Sequence, residues 1–311
     1  MEVTRKSSPS AGGKDGLATA RLCLVVCAIL FSLGGWFIKE LTRLSVSAPG
    51  IVFYRSAFAA LCLAPLVRGR ALPRLADWAI AVVLFTALLG LFVAATQGTS
   101  AANAIFLQYT APLYVVLLGP YLLREPRRRA DLATLALAIT GIAVLFFGSP
   151  GGPRWQRDAL AMGAASGLFF GLYLMWLRRL RYADPVAVTA LNNAGCALLI
   201  LPLLLAIRPA EIGLLPRALG GDGLAMRGAL LLVLMGGVQI ALPYTLMSAG
   251  LRRIASAEAS LLTLVEPLLN PVWVWLAIGE RPAAATVMGG SLILLALALR
   301  YTLLGERTAR E

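Results

Sequence analysis

Ten long apolar stretches, separated by short basic loops, decide what this chain can fold into. Each stretch has 17 to 25 residues, and an α-helix needs roughly 20 apolar residues to cross a bilayer. Because lipid offers the backbone no hydrogen-bond partners, each stretch should form a helix. The stretches are residues 22–38, 50–67, 78–96, 101–123, 132–148, 159–177, 185–207, 228–251, 254–278 and 282–299. The sequence therefore predicts an all-α membrane protein with ten transmembrane helices.

Composition agrees with a membrane protein and excludes several other classes. Of the 311 residues, 59% are hydrophobic and only 14% are charged, which is more apolar than soluble domains are. The net charge of +13 would favour nucleic acid in a soluble protein, but here the basic residues lie in loops beside apolar stretches. The four cysteines lie within those stretches and the chain has no histidine, so we expect no metal site, no cofactor and no nucleic acid partner.

The basic loop residues divide unevenly between the two sides of the predicted helices. With the N-terminus inside, 19 Lys and Arg residues lie on the cytoplasmic side and 8 lie outside, while Arg55 lies within a stretch. Because cytoplasmic loops carry the excess of positive charge, both termini are predicted to be cytoplasmic. Residues 1–21, rich in Ser, Gly and Lys, should form a disordered tail, and residues 305–311 a second tail.

The two halves of the chain resemble each other. Residues 28–44 align with residues 164–180, and residues 101–125 align with residues 256–280 with six identities, including Pro112 with Pro267. Each half has five stretches, an odd number, so the halves would enter the membrane in opposite orientations. We therefore expect two inverted five-helix repeats, residues 22–150 and 151–304, an architecture that secondary transporters use for alternating access.

Glu266 is the leading candidate for a functional charge within the membrane. Charged residues at this depth are costly and usually face a cavity or a partner. Asn270 follows one helical turn later, and Pro267 and Pro271 each remove a backbone hydrogen bond nearby. A carboxylate, an amide and freed carbonyl groups at one depth indicate a polar substrate site or proton site. The alternative is a structural glutamate held by neighbouring helices.

Further polar residues at membrane depth suggest a cavity shared by several helices. Arg55 either extends towards the interface or attracts an anionic group such as a carboxylate. Gln239 stands one turn before Pro243 near the middle of the eighth stretch, and Gln108 and Asn192 lie in the fourth and seventh. The alternative for the amides is that they only join neighbouring helices.

Glycines and a further proline indicate helix contacts and breaks. Gly163, Gly167 and Gly171 recur every fourth residue in the sixth stretch, a spacing that is typical of close helix packing, whether static or sliding. Pro112 in the fourth stretch, like the three prolines named above, is expected to interrupt its helix.

These motifs resemble the drug/metabolite transporter superfamily and, within it, the EamA-type exporters. The resemblance extends over nearly the whole chain after the tail. It rests on residues 99–112 running to Arg124 and Glu125, on residues 252–280 with Ala-Glu-Ala-Ser, Val-Glu-Pro-Leu and Gly-Glu, and on Arg55. It implies ten helices in two inverted repeats, a central cavity, and export of small metabolites, among them amino acids and amphipathic compounds.

The sequence therefore predicts a secondary transporter of the inner membrane that exports small metabolites or amino acids by alternating access. Its expected partners are a small-molecule substrate and the lipid bilayer, and it would act as a monomer or homodimer. Proton coupling would follow if Glu266 exchanges a proton. A membrane-embedded enzyme and a non-transporting scaffold subunit remain alternatives. The enzyme would need converging catalytic groups, and the scaffold would tolerate substitutions in the cavity.

Overall fold

The computed structural model describes residues 11–122, 129–148, 154–250, 253, 259 and 262–308, and this part of the chain is helical. Seven helical segments are long and apolar enough to cross a membrane, and three shorter apolar helices accompany them, Thr134–Phe147, Val265–Ile278 and Ala284–Leu299. These segments occupy the ten stretches expected from the sequence. The all-helical membrane fold is therefore confirmed.

The helices are α1 (Ala11–Ser32), α2 (Gly34–Arg43), α3 (Ala48–Leu63), α4 (Leu75–Gly98), α5 (Ala101–Gln108), α6 (Ala111–Leu122), α7 (Arg129–Phe147), α8 (Arg154–Leu177), α9 (Pro185–Ile207), α10 (Leu214–Leu219), α11 (Gly223–Gly236), α12 (Leu242–Gly250), α13 (Val265–Ile278) and α14 (Ala284–Thr308). Two 3-10 turns, Ala64–Val67 and Pro209–Gly213, and a π-helical turn, Gly237–Ala241, complete the regular structure.

Four of the expected spans are interrupted. The first is broken at Leu33 between α1 and α2, and the fourth at Tyr109 and Thr110 between α5 and α6. The eighth carries the π-helical turn between α11 and α12, and the ninth has a turn at Leu264 before α13. Broken helices are tolerated at membrane depth only where protein or water satisfies the freed backbone groups, so these breaks need partners within the bundle.

The first helix begins earlier than the sequence indicated. A disordered tail was expected up to residue 21, whereas the chain is helical from Ala11. Ala20 and Leu24 are buried against Ala259, and Met247 and Leu262 pack on the same cluster. This apolar contact stabilises the added turns of α1. The rest of the expected tail, residues 1–10, and residues 309–311 at the other terminus lie outside the described residues.

The helices pack into a bundle with two chemically distinct ends. The main helix pairs are α4 with α8, α7 with α14, α3 with α9, and α1 with α12. Lys39, at the end of the first span, lies beside Glu280, which follows the ninth span. Arg70, which follows the second span, lies beside Asp184, which precedes the seventh. We call these the Lys39 end and the Arg70 end.

Apolar side chains fill the interior and also cover the outside of the bundle. Ile38, Leu107, Leu232 and Ile293 are among the large side chains that are fully buried. Other large apolar side chains are exposed, including Leu198 and Leu203 on α9. A soluble protein would not present so much apolar surface, but a helix bundle in lipid must do so.

Two helix termini have caps that suit their positions. Asp184 accepts hydrogen bonds from the backbone N–H groups of Val186 and Ala187 at the start of α9, where Pro185 loses nothing by lacking an N–H. At a C-terminal helix end, α13 stops at Gly279, which has a φ of 78°. Glycine adopts this left-handed conformation without strain, and the turn brings Glu280 to Lys39.

The glycine stripe of α8 packs on the break in the fourth span. A Cβ on Gly167 would lie 2.5 Å from the carbonyl oxygen of Leu107, and a Cβ on Gly171 would lie 2.8 Å from that of Ala111. Gly163 faces the side chain of Leu107. The stripe thus lets α8 approach the backbone where α5 ends and α6 begins.

We expect Gly167→Ala to destabilise the protein, because the added methyl group meets backbone atoms that cannot move away cheaply. Overpacking of this kind costs about 1–3 kcal/mol. Gly90→Ala in α4 is the matched control, since a Cβ there meets nothing within 4 Å and Ala stabilises a helix by up to ~1 kcal/mol over Gly. Thermal unfolding of both variants in detergent measures the difference. Equal midpoints would contradict the tight contact.

Candidate functional site

Two of the helix breaks face each other across the bundle. The hydroxyl of Tyr109, in the break of the fourth span, lies 2.8 Å from Oε2 of Glu266 and 3.2 Å from the carbonyl oxygen of Thr263. Thr263 and Glu266 flank the turn at Leu264 in the ninth span. The leading candidate of the sequence therefore lies where two broken helices meet.

The geometry at Tyr109 is sensitive to the protonation of Glu266. A phenol hydroxyl has one hydrogen to donate, and a carboxylate and a carbonyl oxygen both lie within its reach. If Glu266 is ionised, Tyr109 can donate to the carboxylate. If Glu266 is protonated, it can donate to Tyr109, which can then donate to Thr263. A proton on Glu266 would thus redirect a hydrogen bond towards the backbone of the break.

The break in the first span meets Gln239 and Asn270. Nε2 of Gln239, in the π-helical turn, donates to the carbonyl oxygen of Phe31 at 3.2 Å. Asn270 is only 1% exposed and lies against Gly35, where a Cβ would be 2.5 Å from its Oδ1. We call this meeting of the first, fourth, eighth and ninth spans the break site.

Several polar atoms at the break site have no hydrogen-bond partner among the described residues. Both the nitrogen and the oxygen of the Asn270 side chain lack one, and so does Oε1 of Gln239. Burying an amide without a partner costs free energy. By contrast, Nε1 of the neighbouring Trp273 donates to Oγ of Ser32 at 2.8 Å. The unsatisfied amides are therefore available to a bound molecule or to water.

Arg55 and Asn192 lie beside the break site. Arg55 and Glu266 both lie within electrostatic range of Tyr244 of α12. The side-chain nitrogen of Asn192 donates to the hydroxyl of Tyr173 at 2.8 Å, and Tyr173 is within electrostatic range of Tyr244. Tyr244 thus connects Arg55, Glu266 and Asn192 in one polar region.

The remaining candidate residues from the sequence have positions that fit a structural role. Gln108 is buried at the end of α5, with its carbonyl group near Gly167. Pro112, Pro243 and Pro267 each lie in the first turn of a helix that follows an irregular segment, where a missing N–H is tolerated. The expectation that Pro271 breaks its helix is wrong, because α13 continues through it.

Sequence reasoning missed Tyr109, Tyr244 and the break at Leu33. No proline marks that break, and its signal is the run Ser32-Leu33-Gly34-Gly35, since Gly and Ser pairs are a known cause of helix kinks. The two tyrosines carried no signal that distinguished them from other aromatic residues of the apolar stretches.

The Lys39 end of the bundle is tied together by polar contacts between distant segments. Nζ of Lys39 lies 2.8 Å from Oε2 of Glu280 and donates to the carbonyl oxygen of Thr99 at 2.7 Å. Oε1 of Glu280 accepts from the backbone N–H of Ala101 at 2.8 Å. One ion pair therefore joins the ends of the first, third, fourth and ninth spans.

Two more contacts seal the same end. Glu211 accepts hydrogen bonds from the backbone N–H and the hydroxyl of Ser47, at 3.1 and 2.8 Å. Nε2 of Gln97 donates to the carbonyl oxygen of Val46 at 2.9 Å. These contacts hold the connection between α2 and α3 against both halves of the chain.

The Arg70 end contains an open cavity instead. Its volume is about 500 Å³, and it is lined by residues of α1, α9 and α12 together with Leu66, Arg70 and Arg253. Burial alone would raise the pKa of Asp184 beside it, but hydrogen bonds from Arg70 and from two backbone N–H groups outweigh that effect, so the pKa lies below its ordinary value. Asp184 therefore stays ionised and neutralises Arg70, while Arg253 adds a further positive charge to the lining.

No group of three or more His, Cys, Asp or Glu residues that could hold a metal ion occurs within the described residues. The break site instead offers a carboxyl group, two amides and tyrosine hydroxyls, and the guanidinium of Arg55 lies beside it. Such groups can bind a small polar molecule and exchange a proton.

We expect Asn270→Leu to leave the unfolding free energy unchanged or to raise it by about 1 kcal/mol, because the substitution removes two unsatisfied polar atoms. Asn103→Leu is the matched control. This buried asparagine donates to Oγ1 of Thr99 and accepts from Oγ1 of Thr286, so its loss should cost stability. Thermal unfolding in detergent measures both. A larger loss for Asn270→Leu than for the control would indicate a structural role for Asn270.

Comparisons with known proteins agree with this architecture. A transporter of Archaeoglobus fulgidus described as uncharacterized is 25% identical over 274 residues, which cover 87% of this chain and 92% of that protein. An uncharacterized transporter of Helicobacter pylori is 35% identical over 101 residues, 32% of this chain and 33% of its own length. A solved crystal structure with 18% sequence identity superposes with a TM-score of 0.62, covering 93% of this chain and 97% of that one, which supports the fold.

The family model that matches describes transporters, not enzymes. It matches twice, at residues 19–147 and 158–302, once in each half of the chain. The expected resemblance and the expected absence of an enzyme family are thereby confirmed: the chain belongs to the EamA-like transporter family.

Proposed function

We propose that this protein is a secondary transporter that exports small metabolites or amino acids across the inner membrane by alternating access. In this proposal ten helices form two inverted five-helix repeats, and both termini are cytoplasmic. The Lys39 end then faces outside and the Arg70 end faces the cytoplasm, in agreement with the distribution of basic residues.

The difference between the two ends of the bundle is the observation that carries the proposal. The Lys39 end is closed by an ion pair and by hydrogen bonds between distant segments, while the Arg70 end has, beside its own Arg70–Asp184 ion pair, a cavity of about 500 Å³. A carrier that alternates between two states should be closed on one side and accessible on the other. This arrangement supports a state that is open to the cytoplasm.

The contacts of the closed end are weak enough to be reversed. The side chains of Lys39 and Glu280 retain 16% and 26% of their solvent exposure, and partly exposed ion pairs contribute at most about 1 kcal/mol each. A small number of such contacts can be broken by the differential binding of a substrate.

The matched positions of two helix breaks support the repeat. Tyr109 and Thr110 of the first half align, at an offset of 155 residues, with Leu264 and Val265 of the second, and both pairs mark the start of a helix. Secondary transporters commonly bind their substrates between discontinuous helices related in this way. The break site is therefore the proposed substrate site.

Counterflow in proteoliposomes tests transport directly. Vesicles loaded with a mixed pool of unlabelled amino acids and related metabolites should take up labelled members of the pool saturably. Glu266→Ala, which removes the carboxyl group from the break site, should exchange much more slowly. If the folded wild-type protein moves no compound of the pool, the proposed function is wrong.

A cleavable cross-link tests whether the Lys39 end must open for transport. Lys39→Cys with Glu280→Cys can be joined by a short thiol-reactive cross-linker, in a background where Cys23 and Cys62 are replaced by Ala, since these are the two cysteines that are not buried. Cross-linking should stop counterflow, and cleavage of the linker should restore it. Continued exchange after complete cross-linking would contradict alternating access through this end.

Proton coupling through Glu266 makes a separate prediction. Glu266→Gln can still accept a hydrogen bond from Tyr109 but cannot exchange a proton. We expect it to retain counterflow and to lose the accumulation of substrate that a pH gradient drives in the wild type. Glu211→Gln, at the Lys39 end, should retain that accumulation. If Glu266→Gln accumulates substrate at the wild-type rate at every pH tested, the proton role is wrong.

A further inference from the structure

We propose that Arg55 binds a carboxylate of the transported compound, so that the substrate class is small organic acids that also carry hydrogen-bond donors. The inference rests on the proposed transport function and adds to it the chemistry that the cavity selects. Its evidence is the surroundings of Arg55.

Arg55 is a buried cation that has no counter-ion within the part of the chain that the structure describes. The residue is only 4% exposed. Among the described residues no carboxylate forms a salt bridge with it, and its Nε is buried without a hydrogen-bond partner. Arginine stays protonated in proteins, and burying an unpaired charge is expensive. An anion that enters the site would remove most of that cost.

Extension of Arg55 towards the outer interface does not explain its position. Arginines near the ends of membrane helices usually place the guanidinium in water, which 4% exposure excludes. Arg43 and Arg227, at the Lys39 end, are more than half exposed and both contact Glu40. Arg55 thus differs from these arginines in both burial and pairing.

The backbone around Arg55 is held firmly. A Cβ on Gly236 would lie 2.8 Å from the carbonyl oxygen of Arg55 and 2.9 Å from the nitrogen of Ala59, so α11 touches α3 directly. Gly236 also immediately precedes the π-helical turn that contains Gln239. A binding group at Arg55 is therefore fixed next to the break site rather than on a mobile segment.

Polar groups near Arg55 indicate which other groups the ligand carries besides its carboxylate. Oδ1 of Asn192 and Oε1 of Gln239 are buried without partners, and both are acceptors that an N–H or O–H group would satisfy. Tyr244 is within electrostatic range of both the cation Arg55 and the carboxyl group of Glu266. A ligand with a carboxylate at one end and donor groups at the other matches this arrangement.

The experiment compares ligands that differ only in the carboxylate. An amino acid that the wild type exchanges is tested beside its carboxamide, its decarboxylated amine and the corresponding 2-hydroxy acid, by counterflow and by the ligand-induced rise in the melting temperature. The amide and the amine should lose binding by on the order of 100-fold, as the loss of a buried charge partner does. Binding of the 2-hydroxy acid would indicate a site for carboxylates in general, and its failure to bind would indicate that the site also requires an ammonium group. Binding of the amino acid or of the 2-hydroxy acid supports the inference.

Variants of Arg55 provide the second comparison. Arg55→Met should lose the ligand-induced rise in melting temperature, and Arg55→Lys should retain part of it. Without ligand, Arg55→Met should melt at the wild-type temperature or higher, because it removes an unpaired buried charge. Arg157→Met, an exposed arginine of α8, is the matched control and should behave as wild type.

The outcomes separate this inference from the proposed function. If the wild type exchanges compounds equally well with and without a carboxylate, the protein is a carrier but Arg55 does not select anions. If ligand-free Arg55→Met melts far below the wild type and still binds the acids, Arg55 has a structural role and the inference is wrong. Absence of any exchange by the wild type would instead overturn the transport function itself.

Discussion

The constraint on which the structure depends is that lipid cannot hydrogen-bond a peptide group. A helix that breaks at membrane depth must therefore find partners within the protein. Here the breaks find them in one another, because Tyr109 reaches the turn at Leu264 and Gln239 reaches the carbonyl group of Phe31 beside the break at Leu33. Local turns satisfy other backbone groups, such as the N–H of Leu33 with the carbonyl oxygen of Leu30 and the N–H of Thr110 with that of Leu107, and the contacts between the breaks hold these segments together.

This arrangement is only partly symmetric between the halves. The breaks at Tyr109 and Leu264 correspond to each other, but the break at Leu33 aligns with Phe169 in the middle of α8, which is continuous. In α8 the equivalent region carries the glycine stripe, which packs on the break of the fourth span. At this position the first half has a broken helix. The second half has a continuous helix, α8, which packs on the break of the fourth span.

The sequence predicted the helices well and the site only in outline. The length and apolar composition of the stretches locate the spans, because a membrane-spanning helix depends on local hydrophobicity. Glu266 and Asn270 could be singled out because polar residues at membrane depth are rare. Their partners could not, since Tyr109 and Glu266 are 157 residues apart and Ser32 and Trp273 are 241 apart. Such pairings follow from how the halves pack, and a single sequence does not encode that in any local pattern.

The observed helices also explain why prolines did not reliably mark the helix breaks. Pro112, Pro243 and Pro267 follow an irregular segment and begin a new helix, while Pro271 lies within α13 without ending it. The missing N–H of a proline costs nothing in a first turn but must be compensated in a helix interior. Asn270, with its two unsatisfied side-chain atoms, directly precedes Pro271. The helix therefore continues through Pro271 beside a side chain whose own polar atoms stay unsatisfied, and neither feature can be read from the position of the proline alone.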